Sequence, residues 1–352
     1  MDFSLTAEQK ELQALAQRIL RDGTDTERYK AALASSTGFD LDLWKTLAAS
    51  GCVGIALPES VGGGGLSFLE AAVVLQEVGR TTAPVPAFAV MALGGPALAA
   101  AGREDLLAGV ADGDVIVTAA IHEPVGDAYV PTTSVNAGKL SGTKICVPAG
   151  TIATRFVVTA ADGLYVVEAN APGVTVTRQD TTTGVPDAMV NFDNAPADKL
   201  GGEASVRMLL RSGTAGACLV NSGACQEALS LISSYTTTRN QFGKPIASFQ
   251  AVSQRAADAY IDTEAVRLTA WQCAWRLAEG VPVDEQLYSA KFWAAEGAGR
   301  VVRAAHHLHG GMGVDRDYPL HRYYLLVKEM ELQIGSATPS LRRLGASLVG
   351  AK

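Results

Sequence analysis

The feature that most constrains this 352-residue chain is a double change of hydrophobic period. Up to about Gly113 apolar residues recur at helical spacing, from there to Leu200 the chain breaks into short β-branched runs, and after Leu200 helical spacing returns. In the first part, Thr6 and Gln9 have the T-x-x-Q form of a capping box; Leu12, Leu15, Ile19 and Leu20 follow at helical spacing, and Gly23 ends the run. Further helices are expected around Leu41–Ser50, with Trp44 and Leu47 inward, over Phe68–Gly79 and over Phe88–Ala101. The middle holds VIVTAAI (115–121), KLSGTKICV, TRFVVTA, GLYVVEA, GVTVTRQ and DAMVNFD, with Asp162-Gly163 as a hairpin signal between two of them. They predict an antiparallel sheet or small barrel ending near Leu200. Helices over Glu203–Thr238, Ala251–Glu279 and Asp284–His309 fill the last third, with Leu268, Trp271 and Trp275 as a core stripe. Such an order implies an α+β protein, with a sheet inserted between two helical layers and segments 1–112, 113–202 and 203–352.

A hydrophobic content of 48% fits a globular protein, and a net charge of −7 argues against non-specific nucleic-acid binding. No apolar run is long enough for a membrane span. The N-terminus, MDFSLTAEQKEL, has no basic region followed by an apolar core, so a cytoplasmic location is expected. Cys52, Cys146, Cys218, Cys225 and Cys273 form no CxxC pair and read as buried thiols.

The densest chemistry lies between Arg239 and Gln250, RNQFGKPIASFQ. Arg239 carries a planar donor fork suited to phosphate, Gly243 and Pro245 break the preceding helix, and Phe249 and Gln250 open the next with an apolar surface and an amide. A cation, a bend and an amide could hold the diphosphate and base of a dinucleotide; a helix–turn–helix corner with a surface Arg accounts for the same residues. The glycines Gly62 to Gly65 lack the Gly-Lys-Ser/Thr ending of a phosphate loop and read as a flexible turn. His306, His307, His309 and His321 cluster without the ligand spacing of a zinc site, and a helix end explains them better. Arg342-Arg343 read as a solvated helix end, and Asp315 and Asp317 as caps or partners of Arg316 and Arg322.

Four stretches, in order and at family-like spacing, resemble the acyl-CoA dehydrogenase family over nearly the whole chain: MDFSLTAEQKEL, LPESVGGGGLSFLEAAVVLQEVGR, RNQFGKPIASFQAVSQRAAD and HGGMG. The resemblance implies an N-terminal helical domain, a middle β-domain and a C-terminal four-helix bundle, assembled as a tetramer or dimer of dimers. FAD would bind at a subunit interface, a carboxylate would remove the α-proton of a CoA thioester, and hydride would pass to the flavin. The family places that carboxylate at one of two positions. Near the C-terminus the corresponding stretch reads QIGSATPSLRRLG, which puts Ser336 or Ile334 there, depending on the anchor. On the helix before RNQFG the position falls on Gly213, flanked by Ser212 and Thr214. None can take a proton at neutral pH. The nearest acids in sequence, Glu329 and Glu331, are expected to face solvent or pair with cations.

The middle segment departs from the family too. HEPVGDAYV (122–130) replaces a flavin-facing Thr-Glu-Pro-Gly-Ala-Gly-Ser-Asp segment, and KICVPAG, with Cys146 and Pro148, replaces the Trp-x-Thr segment that lies against the flavin ring. By contrast, Arg239, Gln241 and Phe242 match positions that meet the diphosphate of a neighbour's flavin, and Phe249 and Gln250 match positions near its adenine. His307 through Gly311 match a Gln-x-x-Gly-Gly turn, with His307 where Gln is usual and Gly310 and Gly311 permitting close approach. The pattern resembles the base-lacking subunit of α2β2 acyl-CoA dehydrogenases of actinobacterial steroid side-chain degradation. That implies a partner subunit carrying the catalytic Glu, FAD shared with it, a steroid-CoA substrate and an electron-transfer acceptor. Two other readings stay open: a homomeric dehydrogenase with a displaced base such as Glu331, and a flavin-free CoA-ester binding or scaffold protein.

Overall fold

The computed structural model describes residues 3–350; Met1 and Asp2 of the N-terminal stretch, with Ala351 and Lys352, lie outside the described residues. The chain opens on α1 (Ala7–Asp22), where the expected capping box forms: Thr6 Oγ1 accepts from the Gln9 amide at 3.2 Å and Gln9 Oε1 from the Thr6 amide at 3.1 Å. α2 (Thr26–Ala34), capped by Asp25, was not anticipated; α3 (Leu41–Ala49) is capped by Asp40 and buries Trp44 and Leu47 as expected. α4 (Phe68–Thr81) starts from a second capping box, Ser67 with Glu70. The apolar run after it is not one α-helix but a widened π turn over Phe88–Gly94 that enters α5 (Gly95–Ala100). A β-carbon on Gly94 would stand 2.5 Å from the Val117 carbonyl oxygen, so glycine lets this turn lie directly on the first strand.

The Gly62–Gly65 loop corrects the expectation of a flexible turn. Gly63, Gly64 and Gly65 donate their amides to the carbonyls of Pro58, Gly54 and Leu57, and a β-carbon on Gly63 would come within 2.2 Å of the Leu57 oxygen. The glycines are there because two backbone segments cross in contact, not to supply mobility.

The middle segment contains β1 (Val117–Ala120), β2 (Ser134–Asn136), β3 (Lys139–Pro148), β4 (Arg155–Ala160), β5 (Gly163–Glu168), β6 (Val174–Gln179), β7 (Asp187–Pro196) and β8 (Asp198–Gly201). They form two four-stranded sheets, ordered β1-β4-β5-β8 and β2-β3-β7-β6, rather than one sheet. Pairing is antiparallel except between β1 and β4, which run parallel because the chain crosses to the other sheet and back between them. Asp162-Gly163 makes the predicted β4–β5 hairpin. Phe156 on β4 meets Phe192 on β7 edge-on, ring centroids 6.3 Å apart, at the centre of the core that joins the sheets.

The C-terminal part begins with α6 (Glu203–Thr238), buried along its middle. A two-residue hairpin, β9 (Asn240–Gln241) and β10 (Lys244–Pro245), turns the chain into α7 (Gln250–Ala278). α8 (Asp284–Phe292) continues through a π turn at Trp293–Gly297 into α9 (Ala298–His309), and α10 (Leu320–Leu332) and α11 (Ala337–Gly350) complete the chain. α6 lies against α4 so closely that a β-carbon on Gly223 would be 1.9 Å from the Gln76 carbonyl oxygen. Trp271 of the predicted stripe is buried, donating Nε1–H to Gln76 Oε1 at 2.8 Å, while Leu268 and Trp275 are half-buried.

Candidate functional site

Two places are built from the residues singled out in the sequence. The first is an open hollow of about 460 Å³ between the β9–β10 hairpin and the end of α9, lined among others by Arg239, Gln241, His307, Gly310 and Gly311. Three local features create it. α6 ends at Thr238, the hairpin swings Gln241 to one side, and Gly310 leaves α9 at φ 58, ψ −134, a backbone that a side chain rarely adopts. A β-carbon on Gly311 would meet nothing within 4 Å, so the turn faces open space. Arg239 is exposed, and among the described residues no carboxylate pairs with it. An unpaired guanidinium beside an open glycine turn fits a phosphate or diphosphate group.

The other predicted contacts sit on the hairpin's flank. Phe242, at φ 54 and 91% exposed, stands edge-on to Phe249 with centroids 6.0 Å apart; Lys244 Nζ lies 4.5 Å from the Phe249 ring centroid. Gln250 is exposed at the first turn of α7. The fold thus gathers Arg239, Gln241, His307, Gly310 and Gly311 in one hollow and sets Phe242, Phe249 and Gln250 beside it. Of the remaining histidines, His306 bonds to the Val302 carbonyl through Nδ1, His309 stacks on Tyr235 at 4.4 Å, and His321 bonds to the Tyr318 carbonyl.

The second place is where the resemblance puts the reacting carboxylate. Gly213 on α6 and Ile334 after α10, far apart in sequence, are in contact: a β-carbon on Gly213 would stand 2.6 Å from Ile334 Cδ1 and 2.5 Å from Leu93 Cδ2. Ile334 is held there at φ 56, 2% exposed. Its amide donates to His122 Nε2 at 3.1 Å. Burial, with Lys291 and Lys144 nearby, pushes His122 down to about 4, so it stays a neutral acceptor at neutral pH. His122 opens the HEPVGDAYV segment, and its neighbour Glu123 is tied down as well. Glu123 accepts from Lys144 Nζ at 2.8 Å and from the Thr132 and Thr133 hydroxyls and amides. Burial opposes its ionisation, but these bonds hold its carboxyl down to about 2. An apolar cavity of about 220 Å³, lined by Phe68, Val90, Met91, Met208 and Ser212, adjoins Gly213 on α6.

Several expectations are corrected. Glu329 does not face solvent: it points into a cavity, accepts from the Thr183 hydroxyl at 2.7 Å, and is pushed up to about 8 by burial and the Asp187 charge. Glu331 does pair, with Lys328. Arg343 is no solvated helix end, because it pairs with Asp127 at 2.6 Å and lies 3.9 Å from the Tyr129 ring centroid. Asp317 pairs with Lys30 from α2 instead of Arg316 or Arg322, while Asp315 accepts from the Asp317 amide. Cys146 is exposed, unlike the other four cysteines, because β3 bulges there at φ 50. The Glu329–Thr183, Arg343–Asp127 and Asp317–Lys30 contacts join distant segments, which no local pattern records.

Among known proteins, residues 6–113 match the model of the acyl-CoA dehydrogenase N-terminal domain and residues 201–348 that of the C-terminal domain. The chain is 36% identical to acyl-CoA dehydrogenase FadE27 of Mycobacterium tuberculosis, over 99% of each chain. Among solved structures, it is 36% identical to a chain of the ChsE4-ChsE5 complex from Mycobacterium tuberculosis, covering 99% of each with a TM-score of 0.93. It is 38% identical to a chain of the Tcur3481-Tcur3483 steroid acyl-CoA dehydrogenase variant, covering 98% of each with a TM-score of 0.92.

Proposed function

The chain belongs to the acyl-CoA dehydrogenase family, and we propose that within it this protein is a non-catalytic subunit of a heteromeric, FAD-dependent acyl-CoA dehydrogenase. The observation that carries this reading is the contact between Gly213 and Ile334. Both positions that could present a base meet in one apolar spot, with no carboxylate and no room for one on Gly213. Of the acids nearby, Glu123 is engaged by Lys144 and Glu331 by Lys328, while Glu329 turns away to the Thr183 hydroxyl. His122, standing where the family has a flavin-facing threonine, bonds to Ile334 instead, which supports the reading that the flavin is held mainly by the partner.

The hollow at Arg239 fits the other half of the task. Arg239 and Gln241 would hold the diphosphate of a flavin carried mainly by the partner, and the Gly310-Gly311 backbone would let it approach. Phe242 would flank the diphosphate, and Phe249 and Gln250 would lie toward the adenine. When bound, FAD supplies the hydride acceptor, while the partner's Glu supplies the base. A steroid side-chain CoA thioester is the proposed substrate, by likeness to the steroid acyl-CoA dehydrogenase and ChsE4-ChsE5 chains.

The test is the visible flavin spectrum of this chain alone and co-purified with a candidate partner subunit, each mixed anaerobically with a steroid-CoA thioester. A colourless chain that becomes a yellow, substrate-bleached complex with the partner is the expected result. A yellow chain that bleaches alone would make it a homomeric enzyme. A complex without flavin would leave a CoA-ester binding or scaffold protein.

A further inference from the structure

The two walls of the Arg239 hollow are the ends of two different helices, α6 at Thr238 and α9 at His309. Helix ends fray, and a grip on one group from two of them needs their separation fixed. One side chain spans the gap. The His309 ring stacks on Tyr235, one turn before Arg239, with centroids 4.4 Å apart and planes 23° from parallel. The Arg239 amide donates to the Tyr235 carbonyl at 2.9 Å, so the stacked turn is the one that ends on Arg239. On the other side His309 directly precedes Gly310, whose φ of 58 and ψ of −134 carry the chain into Gly311. Tyr235, Arg239, His309 and both glycines line the same hollow.

His309 is held in one orientation. It is 2% exposed, and both of its ring nitrogens have partners. Nδ1 lies 2.7 Å from the Ala305 carbonyl, which can only accept, so Nδ1 carries the proton. Nε2 is then an acceptor, and the Tyr318 hydroxyl donates to it at 3.1 Å. Tyr318 stands at the entry to α10, its ring centroid 5.3 Å from that of His309. An apolar side chain needs neither bond; what the two bonds add is a fixed ring plane against Tyr235. We propose that His309, oriented by Tyr318, is a positioning residue that sets the Arg239 wall against the Gly310-Gly311 turn and so the grip on a diphosphate, a role that rests on the flavin reading of this hollow.

FAD affinity would be measured for the flavin-depleted complex with the partner subunit, from the quenching of flavin fluorescence on binding. His309→Leu should weaken FAD about tenfold, while His309→Phe, which keeps a ring against Tyr235, should recover part of that loss. In the Arg239→Ala background His309→Leu should cost less than about twofold more, because its effect passes through that guanidinium; a purely structural role would cost the full factor in both backgrounds. In the chain alone, ¹⁵N-labelled histidine should show His309 as the Nδ1–H tautomer at neutral pH. Unchanged FAD affinity in His309→Leu, an additive double variant, or an Nε2–H tautomer would overturn the role of His309. Should the His309→Leu chain fail to assemble, Tyr318→Phe decides: it keeps every ring in place, and about threefold weaker FAD is expected, with native affinity counting against the proposal. Native affinity in Arg239→Ala would instead overturn the flavin reading of the hollow, and the role of His309 with it.

Discussion

Ile334 Cδ1 stands 2.6 Å from where a β-carbon on Gly213 would lie, so the two positions share one space and only one can carry a side chain. Close packing at this point couples the end of α10 to the middle of α6 and occupies the location from which a base would act.

Gly213→Ala should therefore destabilise the chain by about 1–3 kcal/mol through overpacking against Ile334 and Leu93. Adding Ile334→Ala should make the double variant more stable than the sum of the singles by at least about 1 kcal/mol, read from urea midpoints. Additive effects would mean the two side chains do not meet.

His122 accepts the Ile334 amide, and His122→Ala should cost about 1–3 kcal/mol by leaving that buried donor unmet. Its folded pKa lies below the ordinary 6.5, at about 4. The neutral form is favoured by folding, so its contribution is present above pH 6.5 and lost as pH falls through about 4. Thermal melts across that range should show a shallower acid loss in His122→Ala than in the native chain.

In the complex with a partner subunit, Arg239→Ala should strip flavin, measured as the ratio of visible to ultraviolet absorbance after gel filtration. A charge-assisted contact to a diphosphate is worth about 1.5–3 kcal/mol, roughly ten- to a hundredfold in affinity. His307→Gln restores the amide usual in the family and should retain at least native flavin. Full occupancy in Arg239→Ala would remove this hollow from the flavin site.

The Glu329 and Asp187 carboxyls predict an alkaline weakness. Burial first, and for Glu329 the Asp187 charge, raise Glu329 to about 8 and Asp187 to about 6. Both groups fold more readily protonated; their contribution is complete below their unfolded values near 4 and is lost as pH rises through about 6 and 8. Glu329→Gln should therefore flatten the fall in melting temperature between about pH 5 and 8. An unchanged slope would place the carboxyl in contact with solvent.

Lys144 is fully buried and bonds to Glu123, the Ile121 carbonyl and Thr159. Lys144→Met should cost about 3–5 kcal/mol, because it leaves the Glu123 charge without its counter-ion. Glu123→Gln in the same background should recover part of that loss in chemical denaturation.

What the sequence determined by itself was periodic or covalent in origin. Capping residues Thr6 and Gln9, the stripe above Trp44 and Leu47, the Asp162-Gly163 hairpin and the break at Gly243-Pro245 are all local, and each has its physical cause within a few residues. Absence of an acid at Gly213 and Ile334 was likewise legible one position at a time. Tertiary structure alone decided what those positions do to each other. It brought Gly213 against Ile334, turned Glu329 inward to Thr183, paired Asp317 with Lys30 and Arg343 with Asp127, and folded the strands into two sheets with one parallel pair. It also closed Gly62–Gly65 into a packed crossing that composition alone presents as a mobile turn. These outcomes depend on which distant surfaces meet, and the meeting is selected by burial and close packing of the whole chain rather than by any short segment's own preference.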